Sequence, residues 1–576
     1  MNVRNRLSTI FAAAALVATA CAPTIGPESS ASSPASSVIQ PITRKVVTFA
    51  DGYEPKAITE TFVPGHQSSG NNVKLIVQDA LVSNPQFQVY EPQLATELPS
   101  LDKGTWKLNP DGTVETIWRL RPNVKWHDGQ PFTADDLVFT FQVSRDTSVA
   151  GVAVTPTDRL IDSVSASDPL TFVMHWNAPY AVADRTSVGD ILPKHLLADL
   201  YQTDKTSFAN SAVFSTEFIG LGPFRMVRWD QGSQVEAARF DDYYRGRPAL
   251  DTIIVRFVSD PNALVAMALA GTADAVLSGA SGSSLSLDQA LEVKKRWEGT
   301  GNQVLTSQTG NVLWTEAQFN TDYARPPGVL ADVVVRQALL QGIDRQSLTD
   351  VMTNGLSQVA DSFYLPGEPL RSELESSIAK YPYDATRAAQ LLTQAGWTRG
   401  ADGVLVRGSD GQRMELDFWA REGATDKVAV IITDDWKRLG VVGTPYIIPA
   451  ARRTDREYEA KRPGFLCCVR VGYDTFHSGK LHQRQIPTAA TNWNGINYGG
   501  YVNPRADAIV DTLNSTIDPK ARLPLERDLV HEYTANVAIL PMWWEIFPIL
   551  LVEGVNGPRP NFMSATANMF EWDRVL

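Results

Sequence analysis

The sequence is poor in cysteine, with three among 576 residues, and in histidine, with seven. Cys467 and Cys468 are adjacent, and two neighbouring sulfurs cannot by themselves close a tetrahedral metal site. Two interpretations stay open for them: small buried thiols in a strand, or a vicinal disulfide, which an oxidising compartment allows. His477 and His482 are five residues apart, which favours loop histidines over metal ligands. We therefore predict no metal and no other cofactor.

Positive charge is also scarce. Lysine and arginine number 52 against 64 acidic residues, which gives a net charge of −12. A surface that binds nucleic acid or an anionic membrane needs clustered basic residues, so we expect neither partner. The apolar run at residues 10–20 is too short to span a bilayer.

Catalytic and nucleotide-binding signatures are absent as well. The chain has no G-x-S-x-G motif, and His531-Glu532 lacks the second histidine of the zinc-protease pattern. Gly220 and Gly222 lack the third glycine of a dinucleotide-binding loop and the Gly-Lys-Ser/Thr of a phosphate loop. No spacing singles out a carboxylate pair for glycoside hydrolysis. We expect a protein that is not an enzyme, with a secreted hydrolase as the alternative of another class.

The first forty residues are typical of an exported protein. Arg4 and Arg6 precede the apolar run, and the segment 18–20 before Cys21 fits both ordinary signal cleavage and a degenerate lipobox. Residues 22–40 are rich in Ser, Pro and Ala, as in a flexible tether, and a tether directly after a cysteine favours lipidation. We predict a signal peptide at 1–20, then a lipidated Cys21 and its tether at 21–44.

Residues 118–141, WRLRPNVKWHDGQPFTADDLVFTF, are the most informative stretch. Alternating apolar residues predict strands around 116–120 and 124–126, and His127-Asp128-Gly129 predicts a turn. Thr133 can cap the helix that follows, with Asp136 three residues on. The stretch resembles, almost residue for residue, the signature of the family-5 extracellular solute-binding proteins, which are peptide- and nickel-type receptors of bacterial ABC importers. In that family it belongs to an added structural subdomain, not to the ligand pocket.

Further segments resemble the same family. They are 220–225 (GLGPFR), 239–248 (RFDDYYRGRP), 335–344 (VRQALLQGID), 383–397 and 492–507. Local signals predict a turn at 109–112, a helix from Asp260 to Gly271 and a helix from Asp384 to Gly396. Helices are also predicted at 73–81, 330–342 and 427–439, and strands at 253–258, 414–419 and 538–552. This alternation is typical of an α/β protein.

The resemblance covers about residues 45–552. It implies a periplasmic-binding-protein-like type II α/β fold, with two α/β lobes, hinge crossovers and an extra subdomain (cluster C). We assign 45–81, 216–305 and 525–576 to lobe I, 82–215 to the extra subdomain and 306–524 to lobe II.

The implied function is that of the extracytoplasmic substrate-binding component of an ABC importer. Such a protein captures a solute by lobe closure and delivers it to the permease complex. The solute must contact both lobes, because only a higher affinity for the closed state shifts the equilibrium. We expect an oligopeptide, with an oligosaccharide as the alternative because 14 tryptophans could stack on sugars. We expect a monomer, periplasmic or lipid-anchored, that meets the membrane only through its anchor.

The resemblance also suggests ligand-binding residues. Asp474 is the nearest match to the aspartate that takes the α-ammonium group of the ligand in peptide-binding members, although the proline pattern around that aspartate is absent here. Aromatic faces and polar groups are expected from Tyr473, Trp493, Tyr498, Trp314, Asn320, Trp543 and His66. Trp543 and Trp544 are adjacent, so only one of them can point inward from a strand.

Overall fold

The computed structural model describes residues 44–59, 72–86, 88–152, 154, 157–186, 188–277, 285–421, 424–472, 479–559 and 564–575. From Arg44 onward these residues belong to one compact unit. Its helices are α1 (Lys74–Val77), α2 (Ala134–Ser144), α3 (Lys194–Thr203), α4 (Lys205–Ala209), α5 (Pro261–Leu269), α6 (Leu287–Arg296), α7 (Val333–Gln341), α8 (Arg345–Thr353), α9 (Pro369–Leu374), α10 (Ala385–Gln394), α11 (Ala424–Leu439), α12 (Arg456–Ala460), α13 (Pro504–Ser515) and α14 (Pro519–Ala535). Its strands are β1 (Val46–Asp51), β2 (Val82–Gln86), β3 (Val89–Pro92), β4 (Trp106–Leu108), β5 (Val114–Arg119), β6 (Ile161–Asp168), β7 (Thr171–Trp176), β8 (Phe224–Asp230), β9 (Gln234–Arg239), β10 (Thr252–Phe257), β11 (Ala275–Leu277), β12 (Gln303–Ala317), β13 (Trp397–Arg399), β14 (Leu405–Arg407), β15 (Glu415–Ala420), β16 (Val442–Ile447), β17 (Phe465–Val471), β18 (Leu540–Leu551), β19 (Val555–Asn556) and β20 (Asp573–Arg574).

The largest sheet has ten strands, in the order β16-β15-β17-β12-β18-β11-β1-β10-β9-β8. The long strands β12 and β18 pair antiparallel within it. β1 is parallel to β10 and β11, and β15 is parallel to β16 and β17. Parallel strands connected through helices are the mark of an α/β protein, and the predicted fold class is confirmed.

Separate hydrophobic cores lie at the two ends of the β12–β18 pair. One is built on β1, β10, β11 and the end of β18, and we call this region lobe I. The other is built on β15, β17, α7, α11 and α14, and we call it lobe II. Helix α14 packs Leu529, Val530 and Tyr533 into the lobe II core, which differs from the prediction that residues 525–576 belong to lobe I. The other domain boundaries remain predictions.

The signature stretch lies in a further core, formed by the sheet β4-β5-β7-β6 and by α2. The predicted capping box is confirmed, because the Thr133 side chain accepts from the backbone of Asp136 and the Asp136 carboxylate accepts from the backbone of Thr133. The predicted strand at 124–126 is wrong. Lys125 makes a single bridge with Pro131, since the chain reverses at once through the turn at Gly129.

Most other predicted elements occur close to their expected bounds. Asp260 caps α5, Asp384 caps α10 and Gly396 follows α10 with φ +84°. The helix predicted at 73–81 is limited to α1, because the Val77 carbonyl accepts a hydrogen bond from the Gly222 amide instead of continuing the helix. In the described part of the chain no helix is both long and apolar enough to cross a membrane.

Candidate ligand-binding cleft

The carboxyl ends of the parallel strands in the two lobes point toward each other. β12 runs from lobe I into lobe II, antiparallel to β18. β11 and β1 run in the same direction as β12, so their carboxyl ends point toward lobe II. β17 runs opposite to β12, and with β15 and β16 it points toward lobe I. In open α/β sheets ligands bind outside the carboxyl ends of the strands. The candidate cleft therefore lies between the lobes, beside β12 and β18.

The pairing of β12 with β18 is interrupted where the two strands pass between the lobes. Gln308 pairs with Ile546 on the lobe I side, and the next pair is Val312 with Trp544 on the lobe II side. Gly310 lies in this interruption with φ +76°, a conformation that glycine adopts without steric cost. A short break in the ladder between two packed bodies is a place where they can rotate relative to each other.

An ion pair with a buried carboxylate lies beside this crossing. Arg470, near the carboxyl end of β17, pairs with the buried Glu545 of β18. The second oxygen of Glu545 accepts a hydrogen bond from Asn311 Nδ2 at 3.0 Å. A buried carboxylate is costly without such partners, so the pair ties β17, β12 and β18 together at the base of the cleft.

On the lobe I side the carboxyl end of β1 carries a buried carboxylate, Asp51. It accepts hydrogen bonds from Asn72 Nδ2 at 2.8 Å and from the Tyr53 amide at 3.0 Å. Burial raises the pKa of Asp51 to about 6, although these donors oppose the shift. These bonds hold Tyr53 and Asn72 to the end of β1.

On the lobe II side, a buried cluster of charges joins β12 to one residue before β17 and one after it. Glu316 lies 3.2 Å from Arg462 Nη2 and 3.5 Å from Lys480 Nζ, and the exposure of each of the three side chains is below 5%. The Lys480 ammonium is 5.6 Å from the centre of the Trp314 ring and 5.5 Å from that of Tyr498. Burial lowers the pKa of Lys480, although the neighbouring Glu316 carboxylate opposes the shift.

A group of aromatic side chains lies on the neighbouring strands. Trp419 of β15 contacts Tyr446 of β16 and Tyr458 of α12, with ring centres 5.0 and 4.7 Å away. The two tyrosine hydroxyls are 2.6 Å apart. Trp419, Leu466 and Ile448 form a small core of their own in lobe II, against which Tyr458 packs. Aromatic faces of this kind suit contacts with a solute.

The predicted ligand-binding residues lie in different places in the structure, and some lie outside the described residues. Tyr473, Asp474, His66 and the lipidation site Cys21 lie outside the described residues. Trp314 and Tyr498 are brought together around the Lys480 ammonium. Trp543 and Trp544 point to opposite faces of β18, as predicted, but both are buried, in different cores. In this conformation protein atoms cover the rings of Trp314 and Trp543.

The two remaining predicted residues have separate neighbours. Trp493 is half-buried beneath Lys461, whose ammonium is 4.8 Å from the ring centre. Asn320 accepts a hydrogen bond from the Asp322 amide at 2.9 Å. It also lines a cavity of about 740 Å³ with Tyr501 and Asn503, at the end of β12 away from the crossing. Whether any of these residues contacts a solute stays a prediction.

Sequence reasoning missed the buried charges. Glu545 interrupts the apolar strand AILPMWWEIFPILLV, and Glu316 stands in the apolar stretch VLWTEAQF. A carboxylate in a buried strand needs a cation or hydrogen-bond donors, so each was a signal for a partner across the sheet. The identity of that partner depends on strand register, which the local sequence does not contain. Of the two interpretations of Cys467 and Cys468, the structure has the disulfide.

Comparison with known proteins agrees with this architecture. The structure is similar to NikZ from Campylobacter jejuni in complex with Ni(L-His), with a TM-score of 0.72 and 22% identity over 92% of this chain and 100% of that one. It is also similar to the oligopeptide-binding protein AppA from Bacillus subtilis in complex with a nonapeptide, with a TM-score of 0.67 and 20% identity over 92% and 100% of the two chains. The predicted fold, that of a two-lobed solute-binding protein with an extra subdomain, is confirmed.

The sequence comparison then establishes the family. The family model described as bacterial extracellular solute-binding proteins, family 5 Middle, matches residues 90–465, and the chain belongs to this family. The oligopeptide-binding protein AppA of Bacillus subtilis (strain 168) is 26% identical over 424 residues, which span 71% of this chain and 72% of AppA.

Proposed function

We propose that this protein is the extracytoplasmic substrate-binding component of an ABC importer. It captures a solute between lobes I and II and delivers it to the permease. The observation that carries this proposal is the opposed arrangement of strand ends across a two-strand crossing, because a solute held there contacts both lobes. Such contacts give the closed state the extra affinity that closure requires.

The proposed solute is an oligopeptide. AppA, which aligns with most of this chain, is named for oligopeptide binding, and its solved complex contains a nonapeptide. In the sequence Asp474 comes three residues after the end of β17, whose carboxyl end points toward the cleft, and a carboxylate is suited to the α-ammonium group of a peptide. The solute-binding set is Asp474, Tyr473, Trp493, Tyr498, Trp314, Asn320, Trp543 and His66.

The protein performs no chemistry on its solute. It works as a monomer held at the outer face of the cytoplasmic membrane by a lipid on Cys21, or free in the periplasm. Residues 22–40 act as the tether, since their composition disfavours a packed core.

Retention of intact peptide tests the proposal. Purified protein is mixed with a pool of synthetic oligopeptides and, separately, with a pool of glucan oligomers, and bound and free fractions are analysed by mass spectrometry. We expect unaltered peptides in the bound fraction. Retention of glucan oligomers but not of peptides would indicate that the solute is an oligosaccharide. Shortened products would indicate that the protein is a hydrolase.

The Asp474→Asn variant tests the proposed ammonium site. A hydrogen bond to a charged group contributes about 1.5–3 kcal/mol, so we expect at least about tenfold weaker binding of a retained peptide by titration calorimetry. Asp111→Asn, the same change in the exposed 109–112 turn of the subdomain, is the matched control and is expected to bind as the parent does. Equal affinity of the Asp474→Asn variant and the parent would contradict the assignment.

A further inference from the structure

The two bonded cysteines coincide with an irregularity in strand pairing. On one side Trp314 of β12 pairs with Val469 of β17, and on the other Glu316 pairs with Leu466. One residue of β12, Thr315, therefore stands opposite two residues of β17, Cys467 and Cys468. This is a β-bulge, in which one strand has an extra residue.

The bulge decides which face of the sheet the residues after it occupy. Because side chains alternate between faces, a shift of one residue moves each following side chain to the other face. With the bulge, Arg470 stands opposite Leu313, which stands opposite Trp543 of β18. Without it, continued pairing from Glu316 with Leu466 would place Arg470 opposite Val312.

The observed register puts Arg470 on the face where its partner stands. Glu545 is two residues from Trp543 along β18, so the two side chains share a face. Arg470 pairs with Glu545 there, beside Asn311. In the other register Arg470 would face the core that contains Val312 and Trp544, and the buried Glu545 would lose this cation.

We propose that the Cys467–Cys468 disulfide is a register lock, which holds β17 in the bulged pairing and thereby positions Arg470 against Glu545 at the base of the solute cleft. In a regular strand adjacent side chains point to opposite faces, so a bond between neighbouring residues is incompatible with the unbulged pairing. Both cysteines are buried in the lobe II core, which keeps reductants away from the bond.

Two disulfide-free variants of the full chain separate register from mere cross-linking. The first, Cys467→Ala with Cys468→Ala, keeps the extra residue but lacks the bond. The second combines Cys467→Ala with deletion of residue 468, so that one residue faces Thr315 and Arg470 stays opposite Leu313 without any bulge. If the bond acts through register, the first variant is impaired and the second behaves like the parent. A general stabilising role would impair both.

Hydrogen exchange of segment 465–472, measured by mass spectrometry without any solute, reports the register itself. We expect the double-alanine variant to exchange faster than the parent there, and the deletion variant to exchange as slowly as the parent. Faster exchange in the deletion variant, or unchanged exchange in the double-alanine variant, would overturn the lock. If the double-alanine variant does not fold, the deletion variant alone tests the proposal: exchange as slow as in the parent supports the lock, and faster exchange overturns it.

Binding of the synthetic oligopeptide pool reports the consequence for the cleft, and this readout rests on the proposed function. We expect about tenfold weaker peptide retention by the double-alanine variant, restored by the deletion. Arg470→Met should cause a similar loss that removal of the cysteines does not increase, because both changes act through one residue. If the losses of peptide retention caused by Arg470→Met and by removal of the cysteines add up, the disulfide does not act through Arg470. If no form retains peptide while exchange follows the expected pattern, the lock stands and the peptide function fails.

Discussion

At the scale of single residues, His127 shows how the signature stretch holds the molecule together. Its Nε2 donates to the Gly222 carbonyl at 3.0 Å, and its Nδ1 accepts from the Gly220 amide at 3.1 Å. The ring is buried, and burial lowers its pKa to about 4. If Nδ1 also carried a proton, it could no longer accept the hydrogen bond from the Gly220 amide. The neutral ring thus joins the signature stretch to the 220–225 segment, which also resembles the family.

The stability contributed by His127 should depend on pH. The unfolded chain takes up this proton near the usual pKa of 6.5, but the folded ring resists it down to about 4. The contribution is therefore complete above pH 6.5 and is lost as pH falls toward 4, by about 3 kcal/mol in all.

We expect the free energy of unfolding of the parent to exceed that of His127→Gln most above pH 6.5. The difference should shrink by about 3 kcal/mol at pH 4. Urea titrations of both proteins across this range measure it, and groups common to both cancel. A difference that stays constant with pH would show that the proton on His127 does not distinguish the folded from the unfolded chain.

At the scale of elements, the GLGP segment packs against the end of α1 with no room for a side chain. A Cβ on Gly222 would lie 2.5 Å from the Val77 carbonyl carbon and 2.6 Å from the Gln78 nitrogen. These are backbone atoms, so the clash cannot be relieved by a rotamer change. Glycine is required here by close approach and not by an unusual backbone angle.

Gly222→Ala should lower the free energy of unfolding by about 2 kcal/mol or more, because overpacking against backbone forces the elements apart. Gly408→Ala is the matched control, since the nearest atom to its Cβ would be 3.7 Å away, and we expect a change within about 0.5 kcal/mol. The measurement is the midpoint temperature of thermal unfolding of the two variants and the parent. Equal midpoints of thermal unfolding would mean that the contact between Gly222 and the end of α1 accommodates a methyl group without loss of stability.

Elements with local signals were predictable from the sequence. The cap at Asp384 and the glycine after α10 specify that helix within its own residues, and the same holds for the capping box of α2. α1 is shorter than predicted because its last carbonyl bonds to Gly222, a residue far away in the chain. The bulge at the cysteines and the Arg470–Glu545 pair depend on register between distant strands. Local periodicity contains none of that information.

At the scale of the whole molecule, two packed bodies are connected through β12 and β18. Each lobe has its own core, and the ladder between the long strands breaks at Gly310. A solute that converts a mostly open population to a mostly closed one must bind the closed state about 10⁴-fold more tightly. The opposed strand ends allow this, because they place groups of both lobes around one guest.

Small-angle X-ray scattering with and without a retained peptide tests this claim most directly. We expect a smaller radius of gyration when the peptide is bound, and recovery of the same peptide, unaltered, when it is released. An unchanged scattering curve at saturating peptide, or a shortened peptide after release, would contradict it.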